Sequence, residues 1–150
     1  MDLLATLDEL SAKRADAGAL SPLVLAYIGD SVFDLAVRTM LCVQHDTSAH
    51  KLHLMATKRV KASAQALAAE AVMDMLSEQE AAVFKRARNA NFKTVPKNAT
   101  IGDYAAATGF EAVLGYVFLK GDQQRLLAII ERSLDSQPQD SLHEPHAFKK

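Results

Sequence analysis

Helix-breaking residues are scarce in this chain: six glycines and four prolines are spread over 150 residues, and β-branched runs are few. Alanine and leucine prevail instead, and both favour helix. The sequence therefore predicts an all-α fold of about six to seven helices. A short amphipathic helix is expected near residues 2–15. Ser21-Pro22 opens the next, since serine caps free amides and proline suits a first turn. That helix, Leu23 to about Gln44, is apolar on nearly every side, as expected of a buried central helix. Gly29 is its weak point, and Leu23–Ile28 could also be read as a strand, but Ala26, Tyr27, Phe33 and Val37 keep a helical spacing.

Thr47 and Ser48 are cap candidates for a helix from Ala49 to about Met75, with room for one break. Ser77-Glu78-Gln79-Glu80 has the capping-box pattern and opens a helix through Arg88. Residues 89–99, polar and containing Pro96, form the least regular stretch. Thr100 with Asp103 caps an apolar helix to Phe118 or Leu119, and Gly121-Asp122 separates it from a last helix ending near Leu134. The expected organisation is one helical domain over residues 1–134 and a disordered tail over 135–150.

The apolar share of 49% and charged share of 23% are those of an ordinary globular chain, long enough to bury one core. The lone Cys42 excludes an internal disulfide framework. Its apolar neighbours Met40, Leu41 and Val43 make it a small core residue in a reducing compartment. The start has no signal-peptide pattern, and no apolar run approaches the roughly 18 residues a membrane span needs. A cytoplasmic protein with no membrane partner is expected. The net charge of −1 is unevenly spread. Between Thr47 and Gly102 nine basic residues face four acidic ones, a basic middle that can mark the footprint of a polyanion.

Two acids interrupt the two most apolar segments: Asp30 in Val24–Phe33 and Glu111 in Gly109–Phe118. A carboxylate taken out of water must be paired, protonated or metal-bound. Either each acid salt-bridges an arginine, Arg38 or Arg125 for example, or the two face each other across packed helices and share a cation. Oxygen ligands with room for water and phosphate suit Mg²⁺, with Mn²⁺ as a substitute, and such a metal can lower the pKa of a bound water. Asp34, one turn after Asp30, is a candidate outer-shell ligand, although a structural role serves it as well. Basic residues cluster twice. Lys58, Arg59 and Lys61 lie on a helix, where Lys58 and Lys61 share a face and Arg59 is displaced around it. Lys85, Arg86, Arg88, Asn89, Lys93, Lys97 and Asn98 run from a helix end into a loop. The helix dipole accounts for Lys85, Arg86 and Arg88 as well as RNA does; Lys93 and Lys97 point to phosphate and ribose contacts. His50 and His53 form a weaker metal-pair candidate, and His45-Asp46 is the dipeptide of HD phosphohydrolases, without that family's other ligands.

Tyr27-Ile28-Gly29-Asp30-Ser31-Val32-Phe33 resembles the Leu-Gly-Asp-Ser/Ala-Val core of the ribonuclease III signature. Phe110-Glu111-Ala112-Val113-Leu114-Gly115-Tyr116 resembles its second acidic motif, Val-Glu-Ala-Leu-Ile-Gly-Ala. Lys85-Arg86-Ala87-Arg88-Asn89-Ala90 and Pro96-Lys97-Asn98 are similar to the region between them in the compact Mini-III members. The three motifs in register span about Leu20 to Leu134. The resemblance implies a ribonuclease III-like endonuclease domain, homodimeric, that cuts both strands of double-stranded RNA and lacks a separate RNA-binding domain. It further implies maturation of precursor large-subunit (23S) ribosomal RNA, Asp30 and Glu111 as catalytic metal ligands, and Lys58–Lys61 with Arg86–Lys97 as the duplex grip. Larger members carry three more acids where this chain has Leu23, Ala26 and Thr108, so Thr108 could at most orient a water. Two other readings stand beside it: a catalytically idle helical RNA- or ribosome-binding module, and an HD-type phosphohydrolase.

Overall fold

The computed structural model describes residues 2–12, 16–90 and 94–138. Among them the chain is helical throughout, with seven α-helices, two 3-10 turns and no strand. Helix α1 is Leu3–Ala12, and a 3-10 turn at Ala17–Ala19 leads to α2, Pro22–Gln44. Helices α3 (Ala49–Val60) and α4 (Ala62–Val72) follow, then a 3-10 turn at Met73–Met75 and α5, Glu78–Arg88. The last two are α6, Ile101–Leu119, and α7, Gln123–Asp135. The expected single break falls at Lys61, whose extended backbone (ψ 154°) separates α3 from α4.

Most boundaries lie where the capping residues put them. The Ser48 side chain accepts from Lys51 N–H and that of Thr100 from Asp103 N–H. At α5 the capping box is complete: Ser77 Oγ accepts from Glu80 N–H, and Glu80 Oε1 accepts from Ser77 N–H. Ser21 differs from expectation. Its side chain makes no capping bond, and its main-chain carbonyl accepts instead from Val24 and Leu25, with Pro22 filling the first helical position.

The central helix is α6, not α2. Every residue from Ala107 to Val117 except Glu111 is buried, and α6 packs on α2, α4, α5 and α7. Only one side of α2 enters this core, through Leu25, Phe33, Val37 and Leu41, with Phe33 edge-on to Phe110 at 5.1 Å. Its other side leaves Val24, Tyr27 and Leu35 in solvent, Tyr27 80% exposed. Cys42, expected in the core, is exposed because it falls on that outer side.

Two glycines bring α2 and α6 into main-chain contact. A Cβ on Gly29 would stand 1.7 Å from the Glu111 carbonyl oxygen, and one on Gly115 would stand 2.0 Å from that of Leu25. A partly buried ion pair ties α5 to α7: Arg125 Nη2 lies 2.6 Å from Glu80 Oε1 and also donates to the Met75 carbonyl. Gln137, one of the residues expected in the tail, is buried, and its Nε2 donates to the carbonyls of Arg59 and Ala64. Most of the expected tail, residues 139–150, lies outside the described residues. No described helix is long and apolar enough to cross a membrane.

Candidate active site

Gly29 fixes where the two acids meet. Asp30 follows it directly, and the atom Gly29 touches is the carbonyl of Glu111 itself. Both carboxylates thus start from one helix–helix contact. Asp30 opens to solvent while Glu111 is half-buried, so the pair lies at the edge of the core and not sealed within it.

Among the described residues neither acid has an arginine partner. Arg38 is taken by Asp34, at 2.8 Å on the surface of α2, and Arg125 by Glu80. The salt-bridge reading of Asp30 and Glu111 is therefore set aside: the two arginines it named have other partners. Burial pushes the Glu111 carboxyl up to about 7, the adjacent Asp30 charge adds to this, and a hydrogen bond from the Gln65 side chain partly offsets it. Asp30 is raised as well, by desolvation first and by Asp34 second. Glu80 shows the opposite balance: burial pulls its pKa up, but hydrogen bonds from Arg125 and Ser77, with the Arg125 charge, bring it below the ordinary value.

Two like charges held side by side at the edge of the core, one of them half-buried, favour any third partner that is positive. The donors present suit a hard divalent cation. They are oxygens of Asp30 and Glu111, and beside them the buried Gln65 Oε1 has no hydrogen-bond donor among the described residues. Such cations take oxygen ligands and keep several waters. No group of three histidine, cysteine or acidic side chains that could hold a metal occurs among the described residues. His50 and His53 are exposed on α3, and His45 and Asp46 lie at and beyond the end of α2, away from the acid pair in the sequence of elements.

The outer candidates divide. Asp34 is committed to Arg38 and reaches Asp30 only through its charge. Thr108 is buried one turn before Glu111, and its hydroxyl donates to the Tyr104 carbonyl at 2.9 Å. Lys58, Lys61, Lys85, Arg86, Arg88, Asn89, Lys97 and Asn98 are all exposed. Arg86 additionally donates to the Gly18 carbonyl, and Arg88 stacks on Phe84 with its guanidinium 5.7 Å from the ring centre. Arg59 is the correction in this set: it is 8% exposed, and its Nη1 donates to Gln137. Its displacement from the Lys58–Lys61 face turns it into the protein. Lys93 lies outside the described residues. The residue that sequence reasoning missed is Gln65. Its signal was a lone amide at the helical spacing of Ala68, Ala69 and Val72, the buried stripe of α4.

Comparison with known proteins agrees with this geometry. Residues 23–122 match the model of the ribonuclease III domain, a stretch that contains both acids. A Mini-ribonuclease 3 of Thermoanaerobacter is 45% identical over 77% of this chain and 82% of its own length. That of Clostridium tetani is 40% identical over 87% of each. A crystal structure of a Fusobacterium nucleatum protein, 28% identical, superposes with a TM-score of 0.72 over 78% of this chain and 93% of that one. The chain belongs to the ribonuclease III family, as an endoribonuclease of the Mini-ribonuclease 3 type.

Proposed function

We propose that this endoribonuclease cuts both strands of double-stranded RNA with the help of Mg²⁺, as a homodimer, and that it matures precursor large-subunit (23S) ribosomal RNA in the cytoplasm. The observation that carries the reading is the uncompensated pair Asp30–Glu111 at the Gly29 contact. These two residues would hold the cation. When bound, such a cation lowers the pKa of a water and neutralises charge that develops on a phosphodiester.

The chain's own residues supply the rest. The half-buried Glu111 stays poised near neutrality until its charge is needed, because desolvation and Asp30 oppose its ionisation. Lys58, Lys61, Lys85, Arg88, Lys97 and Asn98 are free to meet phosphate and ribose oxygens along an A-form helix. The solvent-facing Val24, Tyr27 and Leu35 share one side of α2 with Ser31, beside Asp30. Pairing that side with a second copy would cover the apolar residues and set two acid pairs against one duplex, one for each strand.

The test is a labelled perfect RNA duplex incubated with the protein and Mg²⁺ or chelator, beside Glu111→Gln. The wild type is expected to cut both strands only with Mg²⁺. The variant keeps the shape and loses the charge, so it should bind while cleavage falls by more than about 100-fold. A wild type that binds duplex under all conditions and never cuts would make the idle RNA-binding module the better account.

A further inference from the structure

Gln65 sits in the first turn of α4, on the stripe that packs against α6, and is 2% exposed. Its Nε2 donates to the Val60 carbonyl at 2.7 Å, across the break between α3 and α4. A carbonyl only accepts, so this bond fixes which end of the amide is nitrogen. The same side chain hydrogen-bonds the Glu111 carboxylate, and an amide nitrogen has a second proton for it. That leaves Oε1 buried and without a donor among the described residues.

An orphaned buried acceptor lowers stability by roughly 1–3 kcal/mol, and the bond to the Val60 carbonyl uses only the nitrogen end of the amide, so the oxygen end is left without a structural role. What a glutamine adds here is a neutral oxygen beside the two acids. Amide oxygens are accepted by hard divalent cations and by the waters they carry. Side chains that orient metal ligands and shell waters from behind are a regular part of such sites.

We propose that Gln65 is a positioning residue of the cation site: its N–H steadies the Glu111 carboxylate, and its Oε1 accepts from a water in the cation's shell. This rests on Asp30 and Glu111 being the carboxylates that hold the cation.

The experiment titrates Mn²⁺ alone, without RNA, into the full chain and reads free Mn²⁺ by electron paramagnetic resonance. Wild type, Gln65→Leu, Gln65→Met and Glu111→Gln are compared, with melting in chelator measured alongside. Gln65→Leu should bind Mn²⁺ about 10- to 100-fold more weakly, and its metal-free Tm should fall with the loss of the bond to the Val60 carbonyl, so binding is compared at a temperature where both proteins are folded. Gln65→Met, which keeps the side chain's length without its amide, should weaken Mn²⁺ binding in the same way. Binding by Gln65→Leu within twofold of wild type, with Glu111→Gln losing the ion, would reduce Gln65 to a structural brace and overturn the inference. If Glu111→Gln also binds as wild type does, the carboxylate reading beneath it fails instead. Should Gln65→Leu not fold, Gln65→Met decides: Mn²⁺ binding within twofold of wild type by that variant overturns the proposal.

Discussion

Replacing Gly29 by alanine adds one methyl group, and in most helices that change is favourable. Alanine gains up to about 1 kcal/mol over glycine in a helix interior. Here the new Cβ would lie 1.7 Å from the Glu111 carbonyl oxygen, half of an ordinary 3.4 Å contact. The obstacle is main chain, so no rotamer relieves it. Helices α2 and α6 must part by about 1.7 Å, and a gap of even 0.5–1 Å forfeits roughly a quarter to a half of each dispersion contact along the seam. We expect a net loss of about 3–5 kcal/mol, the upper range for overpacking. For a chain of this size each kcal/mol moves Tm by about 2–4 °C, so the melt should fall by roughly 6–20 °C. The assay is calorimetry or far-ultraviolet circular dichroism at one fixed protein concentration. Gly115→Ala, with its Cβ 2.0 Å from the Leu25 carbonyl, should behave alike. Gly102→Ala, where nothing lies within 4 Å, should hold or raise Tm. A Gly29→Ala protein that melts within about 1 °C of wild type would refute the main-chain contact, and with it the account of how the two acids are brought together.

Two further outcomes follow from the electrostatics. Glu111 is protonated up to about pH 7 in the folded chain but only to about 4.5 when unfolded, so the folded state holds the extra proton between those values. Metal-free stability should therefore decline as pH rises from about 4.5 to 7 and then level, by about 3 kcal/mol at most; urea titrations of wild type showing no more decline than Glu111→Gln would refute the shift. For the basic residues, Lys85→Ala and Lys97→Ala should each weaken duplex binding and reduce its salt slope by about 1, with Tm unchanged. Arg59→Ala should do the reverse, lowering Tm while leaving the salt slope intact, and a fluorescence-anisotropy salt series with thermal melts separates the two patterns.

Local signals in the sequence carried the boundaries well. The capping box at Ser77 and the caps at Ser48 and Thr100 depend on residues three apart, and distance along the chain hardly enters. Which helix lies at the centre is a different kind of fact. Both α2 and α6 read as apolar all round, and periodicity cannot tell a side covered by the same chain from one left in solvent. Hence α2 was expected to be central, and Cys42 to be in the core. Arg59 failed for a related reason: the break at Lys61 and the approach of Gln137 decide which way its side chain turns. Asp30 and Glu111 were legible as acids out of place, but their meeting rests on two glycines that look like weak points in a helix until α2 and α6 are docked. Gln65 was unreadable as a site residue, because one amide among alanines is ordinary until its neighbours across the fold are known.

The break between α3 and α4 leaves carbonyls that no longer belong wholly to either helix, and two glutamines distant in sequence answer them. Gln65 takes that of Val60 from the acid side, and Gln137 takes those of Arg59 and Ala64 from beyond the end of α7. The cooperative unit consequently does not stop where the last helix stops. A chain shortened to Leu134 would retain nearly all of α7 yet strip the shield from the backbone oxygens of Arg59 and Ala64, so a truncation series read by hydrogen exchange should show its step between residues 138 and 136, with the first amides to loosen at the α3–α4 junction.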